Sequence, residues 1–286
     1  DLVRVRSRQF GEPDFKKFTG SIGDVEKFQK AGGKQLAAGA FGSTKMVNLE
    51  GKNYVLKEPK QPDKKTRKAM AVGLDKKATL NLYKAQGRVT NSEVANTRMA
   101  AALGLAPKVV AASKNGIVSE VAKGKPAKKL NDAQAKALHT NLSKLHRAGI
   151  AHNDLKPDNF FVDKSNKIQF IDFGLSQKSP TAVGREWYRA MNPESPNPLI
   201  RATGTATGSF NLRRFNESGY KAAEKSLRRV IGGDVTEERI IKAGQDPAVA
   251  RRIQAVVNNY YAGRYNERAR KDADRTDSVV YRGETF

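Results

Sequence analysis

Cysteine is missing from all 286 residues. Disulfides, thiolate metal sites and a cysteine nucleophile are therefore excluded. The absence fits any redox compartment, including transit between two. No run approaches the roughly 18 consecutive apolar residues that a membrane span needs. The start carries no basic-then-apolar signal segment. The first residue is Asp1 rather than methionine, which fits a processed product or a piece of a longer chain. Acidic residues are scarce, 29 against 53 lysines and arginines, leaving a formal charge of +24. A field of that sign attracts nucleic acid, acidic proteins and anionic membrane surfaces. It also keeps a surface solvated, and charge alone does not choose among partners.

What is present supports a folded chain with basic surface segments. Apolar residues make up 38%, enough for a core, and the length suits one large domain or two lobes. Much of the excess charge precedes residue 130, in Lys64, Lys65, Arg67, Lys68, Lys76 and Lys77, then in Lys123, Lys125, Lys128 and Lys129.

Residues 1–33 read as a basic extension with a short helix. Lys34–Leu36, Thr44–Leu49 and Tyr54–Lys57 read as strands, the last two joined by a turn at Glu50-Gly51-Lys52-Asn53. Residues 60–90 form a basic, weakly helical insertion. Ser92–Leu103 has helical spacing and stops at Gly104. Lys108–Ala112 and Ile117–Val121 are two further strands. Asn131 and Asp132 cap an amphipathic helix that runs to Arg147 and closes at Gly149. Asn159–Val162 and Lys167–Ile171 form a hairpin around Asp163-Lys164-Ser165-Asn166. A proline-rich loop fills 180–198, and the last 80 or so residues read as helices separated by glycines. The order is a small β-rich part followed by a larger α-rich part, with the boundary near Lys123-Gly124.

The segment His152-Asn153-Asp154-Leu155-Lys156-Pro157-Asp158-Asn159, followed by Ile171-Asp172-Phe173-Gly174, carries the strongest chemical signal. Phosphoryl transfer from ATP needs a carboxylate to orient the attacking hydroxyl, a cation for the moving γ-phosphate, and oxygen ligands for magnesium. Asp154 is the candidate base, Lys156 the cation, and Asn159 and Asp172 the metal ligands. The hairpin between Asn159 and Asp172 returns the chain so that both can face one pocket.

These residues resemble the eukaryotic-like (Hanks-type) protein kinase family, whose catalytic-loop pattern is H-R-D-L-K-x-x-N and whose metal-binding pattern is D-F-G. The resemblance covers about residues 34–180. It implies an α+β, bilobal kinase-like fold: a β-rich N-lobe over 34–123 and an α-rich, divergent C-lobe over 124–286. It also implies ATP and Mg2+ as cofactors. Leu36-Ala37-Ala38-Gly39-Ala40-Phe41-Gly42 resembles the glycine-rich loop, so Ala37, Gly39, Ala40, Phe41 and Gly42 are implied nucleotide contacts, with Ala37 replacing the first glycine. Lys57 matches the lysine that binds the α- and β-phosphates, and Glu93 is its implied acidic partner. Glu58, adjacent to Lys57, faces the other way on a strand. The hinge that grips adenine is implied at Ser119–Ala122, through Glu120 and Ala122. His152 and Phe173 are implied to pack as a structural spine, whereas His139 and His146 on the long helix are structural or solvated.

Lys156 is characteristic of the serine/threonine branch, so a protein substrate is favoured over a small molecule. Asn153 stands where the family has an arginine that pairs with an activation-loop phosphate. The resemblance therefore implies a kinase that is constitutively active or activated by a partner. Asn192-Pro193-Glu194 is the nearest match to the family's A-P-E motif, and no copy of D-x-W-x-x-G is found. Ser176, Ser179 and Thr181 are candidate autophosphorylation sites. The compact, basic, cysteine-free character is similar to bacterial effector kinases, and a phage-encoded kinase fits about as well. Two other readings stay open. One is a pseudokinase or binding module that holds an acidic partner on its basic surface, nucleic acid being allowed by the charge but not favoured. The other is a different ATP-dependent transferase on the same fold.

Overall fold

The structure, a computed structural model, describes residues 22–38, 42–60, 89–126, 130–192 and 212–266. The expected contacts Gly39, Ala40 and Phe41, nearly all of the basic insertion, and Pro193 and Glu194 lie outside the described residues. The chain divides into two units, one comprising 1–129 with 152–178 and the other 130–151 with 179–286. The first is β-rich and the second helical, the α+β composition expected of a bilobal kinase-like fold.

In the first unit, strands β1 (Lys34–Ala38), β2 (Gly42–Leu49), β3 (Lys52–Pro59), β4 (Val109–Ser113) and β5 (Gly116–Glu120) form an antiparallel sheet in the order β1-β2-β3-β5-β4. The β2–β3 turn works because Glu50 and Gly51 both take positive φ, 53° and 78°, the twist a two-residue hairpin needs. Strand alternation then sorts the faces. Leu56 and Val118, paired across β3 and β5 and adjacent in sequence to Lys57 and Ile117, enter one core with Val25, Phe28, Val47 and Ala111. Ile117, opposite Lys57, enters the other core with Val89, Val94, Val109 and Ala112. Helix α1 (Val25–Lys30) is thus part of the folded sheet unit. Burying Val25 and Phe28 on the sheet removes apolar surface from water.

Helix α2 (Asn91–Ala102) starts at Thr90, whose side chain accepts from Glu93 N–H, and ends where Gly104 takes φ 71°. A small sheet of β6 (Lys125–Pro126), β7 (Phe160–Val162) and β8 (Ile168–Phe170) completes the unit. Asp163 Oδ1 accepts from the N–H groups of Ser165 and Lys167 at the β7–β8 turn. Phe160 pairs with Phe170, and Ile171 N–H donates to Asn159 O at 3.0 Å. The hairpin therefore brings Asn159 level with the entrance to Asp172.

The second unit contains α3 (Asp132–Arg147), α4 (Pro180–Met191), α5 (Glu217–Ile231), α6 (Glu237–Ala243) and α7 (Pro247–Tyr261). Asn131 and Gln134 form a capping box on α3, as the sequence predicts from Asn131. Helix α4 corrects the expected loop over 180–198, at least as far as Met191. Ser179 caps the helix and Pro180 sits in its first turn, where a proline needs no N–H partner. Gly184 lets α4 approach α7, since a Cβ there would lie 2.3 Å from Ile253 Cγ2. Trp187, fully buried, packs on Tyr220 and Tyr260 at ring separations of 5.6 and 5.4 Å. Arg189 pairs with Glu237 at 2.5 Å and His146 with Glu186 at 2.9 Å. His139 and His146 are structural: they bond the hydroxyls of Tyr260 and Tyr261. Burial, then the neighbouring His146, pushes the His139 pKa down to about 4. No helix among the described residues is long and apolar enough to cross a membrane.

Trp187→Ala removes the largest fully buried side chain of the helical unit. It is expected to destabilise that unit by about 3–5 kcal/mol, read by denaturant unfolding followed through helical circular dichroism.

Candidate active site

Lys57 is placed by strand register. Its neighbours Leu56 and Glu58 turn away, and Glu58 is taken by Lys45 and Gln29. Lys57 Nζ reaches Glu93 Oε1 and Asp172 Oδ1, each at 2.7 Å. Glu93 lies in the first turn of α2, where a carboxylate is also favoured by the helix dipole. Burial alone would push the Lys57 ammonium down. The two carboxylates outweigh it, and its pKa stays well above the ordinary lysine value. Gly174 makes room for this cluster: a Cβ there would sit 3.2 Å from both Lys57 Nζ and Asp172 Oδ1.

Asp172 takes φ 60°, a left-handed conformation that side chains other than glycine and asparagine rarely adopt. The bend lets its own Oδ1 accept from Gly174 N–H at 3.4 Å while facing Lys57. The Lys57 charge is the main cause that holds the Asp172 carboxyl down to about 2, against the opposing effect of burial.

The second carboxylate is Asp154. Lys156 Nζ and Asn159 Nδ2 each donate to its Oδ2 at 2.8 Å, and Asn159 Nδ2 also donates to Asp154 O at 2.8 Å. Its other oxygen, Oδ1, is buried and finds no hydrogen-bond partner among the described residues. An orphaned carboxylate oxygen is costly unless something external supplies a hydrogen. His152 steadies the loop: its Nε2–H donates to Ile171 O at 2.8 Å, so its Nδ1 accepts from Asp154 N–H at 3.3 Å. Its ring packs on Phe173 at 4.7 Å, the spine expected between the two motifs.

Asn153, at the position of the family's arginine, takes φ 62° and donates from Nδ2 to Leu175 O at 3.0 Å. Asparagine suits that conformation. The three hydroxyls named as phosphate acceptors are all engaged. Ser176 is buried and bonded, Ser179 caps α4, and Thr181 donates to Gly244 O at 3.1 Å.

A magnesium ion takes oxygen ligands, few of them from protein, and completes its shell with phosphate and water. Asp172 is ionised and Asn159 has a fixed amide whose nitrogen is committed to Asp154, so an oxygen donor set fits. Among the described residues no group of three or more His, Cys, Asp or Glu gathers. Of the remaining expected contacts, Ala37 lies at the bulge of β1 and Gly42 opens β2, where a Cβ would meet Glu58 O at 2.7 Å. Glu120 closes β5 and its carboxylate bonds Lys52, while Ala122 follows the strand. Sequence reading missed Asn96, three residues past Glu93. Its buried amide reaches Ser176 at 3.0 Å. The only available signal was a polar residue one helical turn from Glu93.

A family model for the protein kinase domain matches residues 32–195. Among curated relatives, the serine/threonine-protein kinase tricornered of Drosophila pseudoobscura pseudoobscura is 25% identical over 109 residues, covering 37% of this chain and 23% of the relative. Sperm motility kinase 3A of Mus musculus is 40% identical over 73 residues, covering 22% and 14%. The hormonally up-regulated neu tumor-associated kinase of Mus musculus is 45% identical over 53 residues, covering 17% and 7%. The chain thus spans less than a quarter of the length of these relatives. A crystal structure of a kinase domain aligns over 50% of each chain at 15% identity with a TM-score of 0.33, too low to bear on the argument.

The depressed Asp172 pKa has a signed consequence. Stability gained from its ionised form is complete above the ordinary value of 3.8 and is lost as the pH falls toward about 2. Asp172→Asn removes that dependence. Whatever the offset at neutral pH, the wild type is expected to lose melting temperature relative to Asp172→Asn between about pH 6 and about pH 2.5. A constant difference across that range would show that the pair does not titrate as described.

Proposed function

The chain belongs to the protein kinase domain family, and from that premise we propose that it transfers the γ-phosphate of ATP to serine or threonine hydroxyls of a protein. The observation that carries the reading is the state of Asp154, with one oxygen held by Lys156 and Asn159 and the other buried and unpartnered. A substrate hydroxyl supplies the missing hydrogen bond. Its oxygen forms the new bond to the γ-phosphorus, the bond to the bridging oxygen of ADP breaks, and Asp154 Oδ1 receives the proton. Lys156, 2.8 Å from Asp154, stands where charge on the transferring group can be neutralised. Lys57, held by Glu93, turns its ammonium to the α- and β-phosphates. Asn159 and Asp172 would hold magnesium, which would supply charge neutralisation at the phosphate oxygens. In this reading Ala37 and Gly42 lie beside the phosphates, and the backbone of Glu120 and Ala122 grips adenine.

Catalysis of this kind is positioning plus electrostatics, so the state of the segment after Gly174 decides activity. Only five residues separate Gly174 from the first residue of α4. The arginine that would read a phosphate there is Asn153, whose amide is spent on Leu175 O. These features support activity that does not require phosphorylation of that segment. The positive charge of the chain, +24, supports an acidic protein as substrate or activating partner.

Labelled γ-phosphate transfer from ATP in magnesium, with acidic and basic protein substrates, tests the reading. Asp154→Asn and Lys57→Ala are each expected to lower the rate by a factor of about 10² or more. Chelation of magnesium should abolish transfer. Undiminished transfer in Asp154→Asn would overturn the mechanism.

A further inference from the structure

The helix that carries Glu93 makes a second contact with the segment that carries Asp172, and this one is dry and uncharged. Asn96 is 3% exposed and Ser176 4%. Asn96 Nδ2 donates to Ser176 Oγ at 3.0 Å, and Ser176 Oγ donates in turn to Phe173 O at 2.6 Å. Ser176 N–H closes on the same carbonyl at 3.0 Å. The hydroxyl is therefore both acceptor and donor, and it joins α2 to the backbone one residue beyond Asp172.

The charged link between the same elements runs through Lys57 of β3 and differs in kind. Lys57 is 31% exposed and Asp172 42%, so water and salt screen their attraction. In the kinase reading both groups are also needed by the nucleotide: Lys57 by phosphate and Asp172 by magnesium. Their mutual bond must loosen when substrate arrives. The Asn96–Ser176 bond is untouched by that exchange, because neither residue faces the reacting groups.

We propose that the Asn96–Ser176 hydrogen bond is a positioning latch that keeps the Glu93 helix docked on the Asp172–Ser176 segment during transfer. It rests on the kinase reading above and extends it to residues that touch no substrate. The latch does with two neutral side chains what a charged segment phosphate and its arginine would otherwise do. Ser176 thereby serves as a structural hydroxyl.

The test uses the full chain as wild type, Asn96→Ala, Ser176→Ala and the double variant, with kcat, KM for ATP and melting temperature measured for each. Each single variant is expected to lose about tenfold in kcat while KM for ATP moves less than about threefold, since the latch orders the site rather than binding nucleotide. The double variant should fall no further than the worse single, because both changes remove one bond. Asn96→Leu, close in volume and apolar, guards against a folding failure and should lose kcat equally. Losses that multiply in the double variant, a kcat within twofold of wild type in the singles, or a loss matching the folded fraction would each overturn the latch. Amide hydrogen exchange separates the two readings. Asn96→Ala should speed exchange over residues 91–98 and 172–178 whether or not the chain transfers phosphate. Unchanged exchange there overturns the latch, whereas a wild type that exchanges as expected but transfers nothing overturns the kinase reading alone.

Discussion

Lys57 stands between Glu93 and Asp172, 2.7 Å from each, and three elements far apart in sequence meet at that ammonium. Strand β3 supplies the lysine, α2 the glutamate, and the turn after β8 the aspartate. A single cation between two carboxylates is a stringent geometric condition. It requires the register that turns Lys57 toward α2, the Thr90 cap that starts the helix where Glu93 falls in its first turn, and the positive φ that bends the chain at Asp172. Any one of these out of place leaves a part-buried charge without its partner, which is costly.

The two aspartates of the site are chemically distinct although both sit beside a lysine. Asp172 is partly exposed, with its carboxyl held far down by the Lys57 charge. It is suited to a permanent negative role such as metal binding. Asp154 is buried, with one oxygen saturated by Lys156 and Asn159 and the other left bare. It is suited to meeting a hydroxyl. The division arises from surroundings and not from residue type, because the neighbours determine which oxygen is already occupied.

Around these charges the loops are fixed mainly by neutral groups. His152 ties Ile171 O to Asp154 N–H, Asn153 ties Leu175 O, and Asn96 ties Ser176. The bonds from Asn153 and Asn96 join uncharged groups, so salt does little to weaken them.

The residues around Asp154 and Asp172 were legible in the sequence because their chemistry is local. Lys156, Asn159 and the hairpin to Asp172 follow from short spacings, and β-turn signals such as Asp163–Asn166 carry their own mechanism. Capped helices were legible for the same reason, as at Asn131 and Gly149. Pro180 misled because a proline marks loop interiors and helix first turns alike, and only the packing of Trp187 and Gly184 on α7 decides between them. The buried roles of His139 and His146 and the pairing of Asn96 with Ser176 depend on contacts across tens of residues. Sequence by itself determined the kinds of chemistry this chain carries, since those reside in side chains at fixed short intervals. Tertiary structure alone decided which charges meet and which oxygen stays bare, because burial and distance are properties of packed elements.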